Sequence, residues 1–233
     1  MEVTASAPGK AILFGEHAVV YGKPAIAVAV NRRAQINIRE RNDTKIHVRV
    51  PGLDISGYLE LEKEVFKITG NHDVYGIDGS QNHSKSDIKS TQIRNNIGIL
   101  KYILKSLKKI QNSELIKSEF DKGLDIHLDL EMPIGAGLGS SASVTVATLA
   151  ALQSFYELEF ERDKIASYAH QVELEVQGAA SPIDTTLSTY GGAIYLSKNA
   201  GKVEDLPLSW NIPLIIGYTK RENNTGRLSV DAQ

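Results

Sequence analysis

From Leu124 to Leu152 the chain passes from an alternating run, LDIHLDL, through a glycine-rich stretch, PIGAGLGSSAS, into a smooth small-residue run, VTVATLAAL. This succession constrains the fold more than any other feature. Leu124, Ile126, Leu128 and Leu130 fall on one side of a strand, with Asp125, His127 and Asp129 on the other, which predicts a half-buried strand. The small-residue run predicts a helix from about Ser141 to Tyr156 that packs close to its neighbours. A strand, a bare turn and a helix start together make an anion site. The first helical N–H groups have no internal partner, and the helix dipole is positive there. Gly135, Gly137 and Gly139 remove side chains that would hold a phosphate off the backbone, and positive φ angles would turn successive N–H groups inward. Ser140 and Ser141 add hydroxyls, one to cap the helix and one to reach a phosphate or metal ion. A tight turn that merely starts a helix explains the same glycines, so the loop alone leaves both readings open. Two familiar loops are excluded. No lysine follows Gly139, as G-x-x-x-x-G-K-[ST] demands. The G-x-G-x-G spacing, deep in the chain, is not the dinucleotide fingerprint.

Elsewhere the first half is strand-rich. Ala25–Val30, Ile36 and Ile38, and Ile46, Val48 and Val50 alternate, and Pro51-Gly52 closes the run as a turn. The polar stretch from Tyr75 to Asn96 predicts an exposed loop. Ile97, Leu100, Leu104, Leu107 and Ile110 share one helical face, with Lys101, Lys105, Lys108 and Lys109 mostly off it as a solvated face. A further helix is predicted from about Arg162 to Val176, ended by Gly178. Gly192–Leu196 and Pro213–Tyr218 read as strands. Strands come first and helices later, which favours an α+β fold over a doubly wound parallel sheet. The chain has 233 residues and is 42% hydrophobic, enough for one sizeable core and part of a second domain. With 26 basic and 28 acidic residues it offers no basic surplus for nucleic acid or a membrane surface. There is no cysteine, hence no disulfide framework or thiolate metal site. No apolar run approaches a membrane span and no signal peptide is evident, so a cytoplasmic protein is expected.

Two more segments carry polar groups that a core would not need. PGKAILFGEHAVVYGKPA, Pro8 to Ala25, predicts a short strand, Ala11–Phe14, bracketed by Lys10 and by Gly15-Glu16-His17. ELEVQGAASPIDTTLSTYGG, Glu173 to Gly192, sets one acid, Asp184, among small and apolar residues. Glu173 lies beside the buried stripe of its helix and can look sideways into a cleft. Taken singly, the first segment reads better as a surface lysine and a Glu-His turn, and Asp184 has a helix N-cap as its alternative.

Together the three segments resemble the GHMP kinase superfamily. Pro133–Ala142 matches its phosphate loop, P-x-x-x-G-L-G-S-S-A. The other two segments are most similar to those of the archaeal mevalonate kinase branch. The resemblance implies a two-domain α+β GHMP kinase fold, with residues 1–205 as the ATP-binding domain and 206–233 as the start of a C-terminal domain left incomplete. It implies ATP-dependent phosphorylation of the primary hydroxyl of mevalonate. Another small-molecule GHMP kinase (phosphomevalonate kinase or galactokinase-like) and a non-catalytic ligand-binding relative are the alternatives. By the same resemblance ATP lies on Pro133, Gly135, Ala136, Gly137, Leu138, Gly139, Ser140, Ser141 and Ala142, with Glu16 near the nucleotide. Mg²⁺ falls to Ser141 and Glu173, and catalysis to Asp184 and Lys10. His17, Tyr190 and Thr225 would face the acceptor. No nucleic-acid or membrane partner is implied, and a homodimer is allowed. The family's further glycine-rich loop, which closes over the phosphates, has no counterpart here.

Overall fold

The long strand β2 (Ala25–Arg41) organises the molecule, because it pairs along both edges. The computed structural model describes residues 1–70, 73–77, 81–82, 96–113, 122–159, 161–197, 203–208 and 213–218. On one edge of β2 lies β1 (Glu2–Phe14), antiparallel. On the other edge, β8 (Gly123–Leu130) pairs with the C-terminal half of β2 and β9 (Ala193–Leu196) with its start, both antiparallel. From β8 the sheet continues through β3 (Ile46–Val50), which is parallel to it, then β4 (Ile55–Glu60), β5 (Val65–Ile68), β6 (Val74–Gly76) and β7 (Gln81–Asn82). The strand β10 (Val203–Asp205) closes the far side against β9.

Period-two alternation divides the faces of this sheet. Ala34, Ile36 and Ile38 of β2, Ile46 and Val48 of β3, and Leu124, Ile126 and Leu128 of β8 are buried on the helix-bearing side. Against them lie α1 (Ile99–Gln111), α2 (Ser140–Phe155) and α3 (Arg162–Gln177), while α4 (Pro182–Tyr190) covers a smaller cluster of Ala25, Ala27, Ile183, Leu187, Ile194 and Leu196. The helix α2 sits in the middle and is buried on nearly every side, from Ala142 through Leu149. That is the environment a run of Ala, Val, Thr and Ser requires, with no polar face to offer water. Its Thr145 and Thr148 hydroxyls are satisfied by the carbonyls of Ser141 and Val144, so burying them leaves no orphan. The stripe expected on α1 is buried as expected. Its lysines are not simply solvated: Lys105 and Lys108 both reach Glu64 Oε1, at 2.9 and 2.6 Å. On the opposite sheet face, Asp125 accepts from His47 and Arg49 at 2.9 and 2.8 Å, which accounts for that aspartate without a metal.

Four expectations change. The strand read as Ala11–Phe14 runs from Glu2, so Lys10 sits inside it and not at its start. The residues ahead of Lys10 are too small and polar to signal a strand, yet pairing with β2 supplies their backbone bonds. Tyr75, read as the start of a loop, belongs to β6 and is 2% exposed; most of the stretch that follows lies outside the described residues. Ser181, not Asp184, caps α4, accepting from the Ile183 N–H at 3.3 Å. Pro213–Tyr218 is not a strand: all six residues are exposed and none pairs with another described strand. Apolar alternation makes a strand only where a sheet edge is within reach. Among the described residues no helix is long and apolar enough to cross a membrane.

Candidate functional site

A register shift between Pro8 and Gly9 in β1 starts the site. It frees the Pro8 carbonyl from the ladder, and that oxygen accepts from Ser143 of α2 at 2.7 Å and Ser188 of α4 at 3.0 Å. One carbonyl thus ties a strand to two helices. The next residue, Gly9, must be bare, because a Cβ there would stand 2.7 Å from the Leu138 carbonyl oxygen. That same oxygen accepts the Lys10 N–H at 2.9 Å, fastening the glycine loop to β1.

The loop itself alternates in hand. Gly135, Gly137 and Gly139 have φ of 75°, 77° and 68°, the left-handed region that turns alternate N–H groups to one side. Nothing stands within 4 Å of where a Cβ would be at Gly135 or Gly137, so the concavity is open to a ligand. Gly139 is the N-cap of α2, and no side chain caps that helix end. Its first N–H groups therefore face the loop with the positive end of the dipole behind them. Pro133 and Ala136 are half-buried, Leu138 is buried, and Ser140 and Ala142 are fixed in the first turn.

Beside this cradle stand an ammonium and a carboxylate. The stem of Lys10 crosses Gly139 so closely that a Cβ there would lie 2.9 Å from Lys10 Cγ. Its Nζ is 3.4 Å from Asp184 Oδ1. Lys10 is 7% exposed, and its buried charge is tolerable because it is paired. Asp184 lies in the first turn of α4, where Ser181 and Pro182 start the helix and the dipole favours an anion. Burial raises the Asp184 pKa, opposed by the Lys10 charge and hydrogen bond and reinforced by the charge of Glu16. Replacing Gly139 by Ala is expected to cost about 1–2 kcal/mol from the left-handed backbone alone. It should also push Lys10 off Asp184, so activity should fall further than the melting temperature would suggest. Unchanged turnover in the alanine variant would show that this close approach is dispensable.

On the other side of the α2 N-terminus, Ser141 Oγ donates to Glu173 Oε2 at 3.2 Å. Glu173 is 4% exposed. Its Oε2 also accepts from Gln177, one turn on, while its Oε1 is buried with no protein partner. Burial is the main reason its pKa is raised to about 7, with the Asp184 charge adding to it and the Ser141 hydrogen bond opposing it. A buried carboxylate with one open oxygen, beside a hydroxyl and an anion cradle, is what a hard divalent cation selects. The residues present fit such a group.

The remaining candidates lie further off. Glu16 and His17 are exposed in the turn after β1. Tyr190 ends α4, about 9 Å along the axis from Asp184 at 1.5 Å per residue. Its hydroxyl donates to Asp163 at the start of α3, so the structure does not gather it with Lys10 and Asp184. Thr225 lies outside the described residues. Sequence reasoning missed Ser143, Ser188, Tyr102 and Gln177. Gln177 was findable, since four residues on a helix bring it under Glu173. Nothing local in the sequence links Ser188 to Pro8.

Residues 101–192 match the GHMP kinases N terminal domain. The chain is 39% identical to a mevalonate kinase of Thermococcus gammatolerans over 98% of its own length and 60% of the relative's. It is 38% identical to that of Pyrococcus furiosus over the same shares. It therefore spans about three fifths of these relatives. Its fold matches the crystal structure of the Methanococcus jannaschii mevalonate kinase with a TM-score of 0.69 at 33% identity, covering 89% of this chain and 56% of that one. The glycine loop, Glu173 and Asp184 all fall within the residues that match the GHMP kinases N terminal domain, and with Lys10 they stand together in a fold similar to that of these mevalonate kinases.

Proposed function

We propose that this chain carries the nucleotide and catalytic part of an ATP-dependent mevalonate kinase, acting in the cytoplasm. Residues 1–205 would form the ATP-binding domain, consistent with the sheet's last described strand ending at Asp205. A second domain would begin at 206. The observation that carries the reading is the Lys10–Asp184 pair held against Gly139 at the mouth of an open, positively biased loop. The loop from Gly135 to Ser141 would bind the triphosphate. Ser141 and Glu173 would hold Mg²⁺, which when bound supplies charge neutralisation on the phosphates. The similarity to mevalonate kinases over nearly the whole chain favours mevalonate as the acceptor.

The energetics limit what each residue does. An alcohol with a pKa near 15.7 costs about 12 kcal/mol to ionise at neutral pH. One ammonium at roughly 4 Å returns about 4 kcal/mol at an effective dielectric of 20. Lys10 cannot generate an alkoxide by itself. In a loose transition state little proton transfer is needed early. Asp184, its pKa raised by burial, is then suited to orient the hydroxyl and accept its proton late. Lys10, already held beside Asp184, steadies that carboxylate and the charge on the transferring group.

Nucleotide consumption with mevalonate, phosphomevalonate, galactose and homoserine tests the reading. Turnover with mevalonate alone is expected. Preference for another acceptor reassigns the substrate, and nucleotide binding without turnover on any of them makes the chain a ligand-binding relative.

A further inference from the structure

The cation site proposed above has one donor too few to hold its carboxylate still. Glu173 could rotate about its terminal bond and exchange its two oxygens if Ser141 were its sole anchor. A second anchor comes from the same helix. The Gln177 amide lies against Glu173 Oε2 and 3.2 Å from the Tyr102 hydroxyl of α1. Only its NH₂ end can face a carboxylate, so its two hydrogens go to Glu173 and to Tyr102. The Tyr102 hydroxyl accepts from Gln177 and so fixes the amide against the carboxylate. Ser141 in turn donates to Glu173. The four groups thus form a chain in which Ser141 and Gln177 both donate to Glu173 Oε2 and Gln177 is braced by Tyr102. The acceptors left over are Glu173 Oε1, buried and unpartnered, and a lone pair of Ser141. A chain that turns its donors onto one carboxylate oxygen and leaves the other bare is organised for a cation.

We propose that Gln177 and Tyr102 are positioning residues of this site: they lock Oε2 so that Oε1 points at the ion. The inference rests on the functional reading above, but it concerns residues that reading does not use. Neither side chain touches the ion or the nucleotide; Gln177 acts through Glu173, and Tyr102 through Gln177. Tyr102 lies on α1, so its bond to Gln177 couples that helix to the metal end of the site.

Mn²⁺ is the probe, its free form counted by electron paramagnetic resonance while it is titrated into the protein with a non-hydrolysable ATP analogue. Gln177→Leu keeps the volume and removes both hydrogen bonds. It should raise the Mn²⁺ dissociation constant about 10- to 100-fold, the range usual for groups that orient metal ligands. Tyr102→Phe should raise it in the same direction by less, and the double variant should be little worse than Gln177→Leu, because both act through one carboxylate. Lost kcat should return at high metal concentration while the acceptor KM stays unchanged. A merely structural role would lower kcat without that recovery, and this overturns the proposal. So does an unchanged Mn²⁺ dissociation constant in the folded variants. Should Gln177→Leu fail to fold, Tyr102→Phe alone decides. If the unmodified protein binds no Mn²⁺ with the nucleotide analogue, the cation site itself is refuted and this inference with it; loss confined to the variants separates the two.

Discussion

Asp184→Asn is expected to lower kcat by about 10²–10⁴-fold, the range for a positioned acid–base group, with nucleotide affinity changed less than about threefold. Asparagine keeps the shape and the place in the first turn of α4 but cannot accept a proton. The nucleotide, seated on the backbone of the glycine loop, does not depend on that oxygen. Stability should fall as well, because Lys10 is left buried without its partner, a loss only partly offset by relieving the cost of burying the Asp184 charge. Steady-state kinetics with nucleotide binding measured separately make the check. Turnover near that of the unmodified protein would remove Asp184 from the chemistry and leave Lys10 as a structural cation.

Glu173→Gln should do two opposite things. It should abolish the response to Mg²⁺, and it should make the metal-free protein more stable above neutral pH. A carboxyl whose folded pKa is raised from 4.5 to about 7 binds its proton more tightly when folded. Between those values the native state holds more protons than the unfolded one, so stability falls as pH rises. The contribution is fully present below pH 4.5 and lost by the time pH passes about 7. A shift of this size is worth up to about 3 kcal/mol. Glutamine can offer its carbonyl to Gln177 and Ser141, but its NH₂ then takes the unpartnered position at a cost of about 1–3 kcal/mol, so the net gain expected at pH 8 is at most about 2 kcal/mol. Thermal melting from pH 4 to 9, with and without Mg²⁺, reads both effects. A melting curve whose pH dependence is the same in the glutamine variant would show that the Glu173 carboxylate carries none of this cost.

Both predictions concern charges that the fold holds in an unfavourable place. Lys10 and Glu173 are buried and Asp184 is half-buried, and each is kept in place by a specific neighbour. Such strain is common at functional sites. It also explains why the surrounding hydrogen bonds are so interlocked: Ser143 and Ser188 on Pro8, Ser141 and Gln177 on Glu173.

Much of the fold was legible wherever the signal is periodic. The α1 stripe and the alternation of β8 each state their burial in consecutive residues, and the glycine after Gln177 ends α3 in the left-handed conformation expected of it. Legibility failed where pairing, not composition, makes the element. The start of β1 and the short β6 are strands because a neighbour completes their ladders. Pro213–Tyr218 has the composition without a described neighbour and is no strand.

The sequence by itself determined which chemical groups are present and their local setting: a loop that only glycines can trace, a helix start behind it, and acids and a lysine where a core would have none. These are properties of contiguous residues, and φ preference, hydrophobic period and capping are read within a few positions. What only the tertiary structure decided is which of those groups meet. Lys10 and Asp184 are brought to 3.4 Å, and Tyr102 to Gln177, by helices docking on one face of a shared sheet. Those distances are set by packing between elements far apart in the chain, and no local pattern encodes them.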